Sequence, residues 1–161
     1  MLPETDEKRL GVLICGHGSR NRLAIEEFEH LVQSLKAKLI GIQVEYGYLE
    51  FARPTLRDAL DKLRSNSVTQ VIAIPAMLFA AGHAKNDIPT LLNTYSLQTG
   101  IDIQYGRELG VNNFMIGAAS CRIQETINNA SSYPLEKTLL VVVGRGSSDP
   151  DANSNVSKIT R

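Results

Sequence analysis

The sequence predicts an α/β protein: a three-layer sandwich with helices on both faces of a mainly parallel, four- to five-stranded sheet in a flavodoxin-like order. Three observations lead there. Short apolar runs alternate with longer segments of helical periodicity, the pattern of a parallel sheet with crossover helices. The first run is apolar throughout, as a strand buried on both faces requires. Glycine or proline stops the first and third runs at Gly16 and Pro75, where a strand would hand over to a loop.

Taken in order, Leu10–Cys15 (LGVLIC) is the first strand, broken at Gly16. Across Arg22–Leu39, apolar residues at Leu23, Phe28, Leu31, Val32, Leu35 and Leu39 fit one face of a helix. Ile42–Tyr48 (IQVEYGY) is rich in β-formers and reads as the second strand. Pro54–Leu63 is helical, with Pro54 in its first turn. Val68–Ile74 (VTQVIAI) is the third strand, and His83–Leu97 the third helix, which Pro89 must kink or delimit. Ile101–Tyr105 gives the fourth strand, Asn112–Asn129 the fourth helix, and Thr138–Val143 (TLLVVV) a fifth strand. Right-handed crossovers then favour the order 2-1-3-4, with the fifth strand extending one edge.

The 161 residues suit one ordinary domain. Residues 1-9 read as a polar tail without the apolar stretch of a secretion signal, and residues 10-137 as the α/β module. A repeat then begins. Leu139–Ser148 (LLVVVGRGSS) imitates Gly11–Arg20 (GVLICGHGSR), each an apolar strand followed by Gly-x-Gly-Ser. Residues 138-161 are therefore expected to open a second module that is cut short, with Asp149–Asn155 as a polar loop and Val156–Arg161 as the start of a helix.

Composition narrows the function classes. Apolar residues make up 43% and charged residues 21%, as in ordinary soluble domains. Lys+Arg and Asp+Glu each number 17, so net charge is zero, which argues against a nucleic-acid partner but allows a local basic pocket. No run approaches the roughly 18 apolar residues of a membrane span. The two cysteines, Cys15 and Cys121, form neither a Cys-x-x-Cys pair nor a disulfide framework, so a cytoplasmic location is expected, with Cys15 a buried thiol.

The residues that follow the strands carry the chemistry. Gly16-His17-Gly18-Ser19-Arg20 follows the first, Leu49-Glu50-Phe51-Ala52-Arg53 the second, and Pro75–Phe79 then Ala80–Asp87 the third. In the order 2-1-3 these strands are neighbours, roughly 4.8 Å apart. Glu50, His17 and His83 should therefore converge on the carboxyl edge of the sheet, where open α/β folds bind ligands. Two imidazoles and a carboxylate suit a divalent ion such as Co(II), Ni(II), Fe(II) or Zn(II). Glycines on both sides of His17 let a large planar ligand approach. Arg20, Arg22, Arg53 and Lys85 form either a cationic rim for substrate carboxylates or ordinary solvated charges. Met77 and Phe79 form either an apolar floor or part of the core. Asp87 either orients His83 as its hydrogen-bond partner or caps the helix. His30, among Glu26, Glu27 and Glu29, belongs on the surface.

These motifs together, with Tyr48-Leu49-Glu50 and Pro54, and with Leu78-Phe79-Ala80-Ala81-Gly82-His83-Ala84-Lys85-Asn86-Asp87-Ile88-Pro89, resemble the CbiX-type sirohydrochlorin cobaltochelatases of the class II chelatase family, over roughly residues 10–150. The resemblance implies a chelatase-type fold and ATP-independent insertion of a divalent metal, with no nucleotide, into sirohydrochlorin. The metal is cobalt in the cobalamin branch of porphyrin biosynthesis. It makes His17 and His83 metal-binding residues and Glu50 the acidic residue that works with them. Ser19, Arg20, Arg53, Phe79 and Lys85 become substrate-binding candidates, and Asp87 the support of His83. It further implies a site shared between two modules, in cis or from a homodimer partner. Arg145 stands where the first copy has His17, as in asymmetric long forms whose N-terminal module keeps the metal histidines. Iron or nickel insertion, and a non-catalytic metal- or tetrapyrrole-binding module, are the near alternatives. A histidine phosphatase is a distant one, since Gly16 precedes His17 where such sites need arginine.

Overall fold

The computed structural model describes residues 9–129 and 134–160, so nearly all of the polar tail expected over 1-9 lies outside the described residues. Strand β1 (Leu10–Gly16) leads into helix α1 (Arg22–Lys38), strand β2 (Gln43–Tyr48), helix α2 (Leu56–Ser65) and strand β3 (Gln70–Pro75). A π-helical turn (His83–Asp87) runs directly into helix α3 (Ile88–Thr99), followed by strand β4 (Asp102–Tyr105) and helix α4 (Asn113–Asn129). A 3-10 turn (Leu135–Lys137) and helix α5 (Pro150–Ile159) complete the described chain. The strands form one parallel sheet in the order β2-β1-β3-β4, the order expected from the crossover rule.

Alternation along β1 sends its side chains to two cores. Leu13 and Cys15 pack with Leu56, Leu60 and Leu63 of α2, and with Ile88, Leu92 and Tyr95 of α3. Val12 and Ile14 pack with Val44 and with Val32 and Phe28 of α1. The central strand is thus buried on both faces, which is why it reads as an unbroken apolar run. Burial pushes the Cys15 thiol up to about 12, so it remains an inert core group.

Helix starts follow local chemistry. Pro54 sits before α2 rather than in its first turn, because Thr55 takes the cap. The Thr55 hydroxyl accepts from the Asp58 amide at 3.1 Å and the Asp58 carboxylate accepts from the Thr55 amide at 2.9 Å. Pro89 delimits: it occupies the first turn of α3, at the point where the π-helical turn gives way to α-helix.

Two expectations fail at the C-terminal end. Thr138–Val143 forms no strand and joins no sheet among the described residues. Its apolar side chains are exposed, Leu139 at 83% and Val143 at 85%. A buried-looking run becomes a strand only when it pairs with a free edge, and among the described residues this segment pairs with neither β2 nor β4. Asp149–Asn155 is not a loop but most of α5. Its Ser, Asn and Pro content suggests irregular chain, yet Asp149 caps the Asp151 amide at 2.9 Å and Pro150 fits the first helical turn.

This difference between strand and exposed segment can be measured. Leu60→Ala, at a fully buried position, should cost about 2–5 kcal/mol in denaturant unfolding. Val141→Ser, on the exposed segment, should stay within about 0.5 kcal/mol of the parent. Comparable losses in the two variants would mean that residues 138–143 belong to the core after all.

Candidate metal centre

The loop after β1 is built around two glycines. The β1–β2 pairing continues past the strand ends: the Leu49 amide donates to the Gly16 carbonyl at 2.9 Å and the Glu50 amide to the His17 carbonyl at 3.1 Å. That approach leaves no room for side chains. A Cβ on Gly18 would lie 1.7 Å from the Glu50 carbonyl oxygen, and Gly18 has φ of 93°. A Cβ on Gly16 would meet the rings of Phe28 and Tyr48 at 2.8 and 2.9 Å. The His17 Nδ1 lies 3.0 Å from the Gly18 carbonyl. A carbonyl only accepts, so Nδ1 carries the proton, and Nε2 is the nitrogen turned toward Glu50.

His83 is held differently. It opens the π-helical turn, whose wider winding still brings residue i+4 within reach, and its Nδ1 lies 2.6 Å from Asp87 Oδ2. Nδ1–H donating to that carboxylate fixes the ring orientation and leaves Nε2 turned toward Glu50. The turn is tied to the sheet by Tyr105, whose hydroxyl donates to the Ala84 carbonyl at 2.9 Å. Burial pushes that phenol up to about 12, so it stays a donor throughout the physiological range.

The three sequence candidates meet. His17 Nε2 lies 3.3 Å from Glu50 Oε1, and His83 Nε2 lies 3.9 Å from the same oxygen. The imidazole rings are edge to face with centroids 4.9 Å apart. One ligand atom from each residue falls within 4.8 Å of the others. Two imidazoles and a carboxylate brought this close form a donor set suited to a borderline divalent ion.

His17 and His83 also line a cavity of about 710 Å³, within the usual range for small-molecule sites. Ser19, Met77, Leu78 and Phe79 contribute to one wall, with Met77 also packed on the core. A further part of the lining comes from a segment absent from the sequence-based site: Val142–Ser147 and the α5 residues Ala152, Asn153, Val156 and Ile159. The expected cationic rim is largely spoken for. Lys85 pairs with Asp149 at 2.5 Å and Asp151 at 3.3 Å. The Asp149 hydrogen bond raises the lysine's pKa, and the Lys85 hydrogen bond lowers that of Asp149. Arg53 pairs with Asp58 and Arg22 with Glu26, while His30 is exposed on α1. Arg20 lies over the ring of Phe51, 4.8 Å from its centroid. Sequence reasoning passed over Phe51. It is exposed, 6.2 Å from the His17 ring, and has a left-handed φ of 63° that is costly for a bulky residue. Its position after Glu50 was the only available signal.

Comparison with known proteins gives the family. The family model described as CbiX matches residues 11–126. The sirohydrochlorin cobaltochelatase of Priestia megaterium is 36% identical over 152 residues, covering 93% of this chain and 49% of that protein. The sirohydrochlorin ferrochelatase of Bacillus subtilis (strain 168) is 30% identical over 149 residues, covering 92% of this chain and 55% of that protein. The structure of SirB from Bacillus subtilis with Fe3+ superposes with a TM-score of 0.82 at 29% identity, over 94% of this chain and 58% of that one. The chain thus spans about half the length of these curated relatives.

Because Gly18 admits no side chain, Gly18→Ala should lower stability by about 2 kcal/mol or more and weaken Co(II) binding by moving His17 away from Glu50. Thermal unfolding and calorimetric titration read the two effects. A variant that melts and binds cobalt as the parent does would show that the close approach is dispensable.

Proposed function

Since this chain belongs to the CbiX family, we propose that it inserts a divalent metal ion into sirohydrochlorin without nucleotide hydrolysis. The convergence of His17 Nε2, His83 Nε2 and Glu50 Oε1 beside the cavity carries the reading. The names of the relatives supply the macrocycle. Cobalt is the first choice of metal, because the cobaltochelatase relative is 36% identical against 30% for the ferrochelatase. The same donors accept iron and nickel.

Insertion requires an ion stripped of part of its water, a macrocycle brought within reach, and acceptors for the two pyrrole protons. In this reading the metal is a substrate. His17 and His83 take it as neutral ligands, each fixed in the right tautomer by its Nδ1–H bond. Three protein donors leave positions where pyrrole nitrogens replace water. Glu50 lies against both imidazoles and accepts a proton as the ion leaves, and a freed imidazole accepts the other. Asp87 acts through His83 by holding its ring. Phe79 lines the floor, and Ser19 shapes the His17 loop by accepting from the Asn21 amide at 3.0 Å.

The domain reading goes with this one. Residues 10-137 form one module, and residues 138-161 open a second that closes the cavity from the other side. Two loops support it. The Ser147 hydroxyl accepts from the Asp149 amide at 3.1 Å, matching Ser19 with Asn21. The Asp149 side chain accepts from the Asp151 amide at 2.9 Å, matching Asn21 with Leu23. Gly146 has φ of 79° where Gly18 has 93°.

His17→Ala and His83→Ala should each weaken Co(II) binding at least about tenfold by calorimetry and remove insertion followed by macrocycle absorbance. Asp87→Asn should weaken binding by a smaller factor, since it leaves the ligand in place. Initial rates with Co(II), Fe(II) and Ni(II) rank the metals, with cobalt expected first. Unchanged cobalt binding in both histidine variants would remove the metal site, and a faster Fe(II) rate would reassign the metal.

A further inference from the structure

We infer that Arg145 is a substrate-binding residue, which takes a peripheral carboxylate of the tetrapyrrole from the side of the cavity opposite the metal donors. This rests on the chelatase reading. Three observations carry it.

The first is placement. Gly144-Arg145-Gly146-Ser147 shares with Gly16-His17-Gly18-Ser19 the same serine and cap hydrogen bonds and a left-handed second glycine. Both loops line one cavity. Arg145 is therefore the positional counterpart of His17 facing the same space.

The second is charge. Among the described residues that line the cavity, Arg145 is the only lysine or arginine, and no aspartate or glutamate lines it. Arg145 forms no ion pair among the described residues. Of the other cations expected to meet substrate, Lys85 pairs with Asp149 and Asp151 and Arg53 with Asp58, while Arg20 lies over the Phe51 ring and is not among the lining residues. The Lys85 pair has a consequence for Arg145 as well. Asp149 is the cap of α5, so the ion pair joins the turn carrying His83 to the end of the Arg145 loop.

The third is chemistry. A guanidinium has five donors, no lone pair and a permanent charge. It neither ligates a metal nor accepts a pyrrole proton, so exchanging histidine for arginine at this position excludes the role that His17 has. What remains is an anion, and bidentate pairing with carboxylate is the contact that arginine makes best. The macrocycle brings such carboxylates with it. An arginine there holds the ring over the metal donors and selects polyacidic tetrapyrroles over apolar ones.

The test compares the parent chain with Arg145→Gln and Arg145→Lys. Anaerobic absorbance titration with sirohydrochlorin gives the macrocycle affinity at two salt concentrations, and calorimetry with Co(II) alone gives the metal affinity. Arg145→Gln should bind sirohydrochlorin about tenfold more weakly, with a shallower salt dependence, and Arg145→Lys should recover part of the loss. Co(II) affinity should be the same in all three, since the donors are untouched. Equal sirohydrochlorin affinity in parent and Arg145→Gln would overturn the assignment, and so would a parallel loss of cobalt binding, which would mark a structural role. The chelatase reading fails separately: a parent that binds sirohydrochlorin but inserts no metal keeps the Arg145 contact and loses the reaction. A parent that does not bind the macrocycle loses both.

Discussion

Two backbone hydrogen bonds, Leu49 to Gly16 and Glu50 to His17, continue the β1–β2 pairing beyond the last strand residues, and the rest of the site depends on them. They bring the chain after β1 against the chain after β2 so closely that Gly18 stacks on the Glu50 carbonyl. His17 and Glu50 are thereby fixed to each other by backbone rather than by their own side-chain contacts. A ligand set placed this way does not need the metal to assemble it, so binding carries little ordering cost.

His83 arrives on a separate element and is secured by other means. The loop after β3 is longer, and a π-helical turn ends it. Such turns have weaker backbone geometry than an α-helix and recur at functional sites. Here the winding brings Asp87 to the His83 ring, and the Tyr105 phenol and the buried Ala84 and Ile88 hold the turn to the core. One imidazole is thus set by a rigid strand-end loop and the other by a helical turn.

Much of this was legible in the sequence for a definite reason. Buried parallel strands must be apolar, their carboxyl ends must be punctuated, and the crossover rule orders them. Those facts alone put His17, Glu50 and His83 at one edge. The remainder depended on contacts between distant segments. Nothing in Lys85 itself tells that Asp149 and Asp151 will neutralise it, and nothing in Phe51 tells that its backbone is left-handed. The apolar character of Leu139–Val143 was misleading, because apolarity shows that a segment can be buried and not that an edge awaits it. Asp149–Asn155 failed for the opposite reason: the composition of a loop was overruled by a cap and a proline placed at a helix start. The repeat of Gly-x-Gly-Ser was visible, but only the structure brings its second copy to the same cavity as the first.

In the proposed site, two imidazole nitrogens and one carboxylate oxygen hold the incoming ion. X-ray absorption at the cobalt edge on the Co(II)-loaded chain tests it most directly. The expected spectrum has a nitrogen and oxygen shell at about 2.0–2.2 Å, with the outer-shell scattering of two imidazole rings, and loses one ring's contribution in either histidine variant. A shell of water and carboxylate oxygens without imidazole scattering would contradict it.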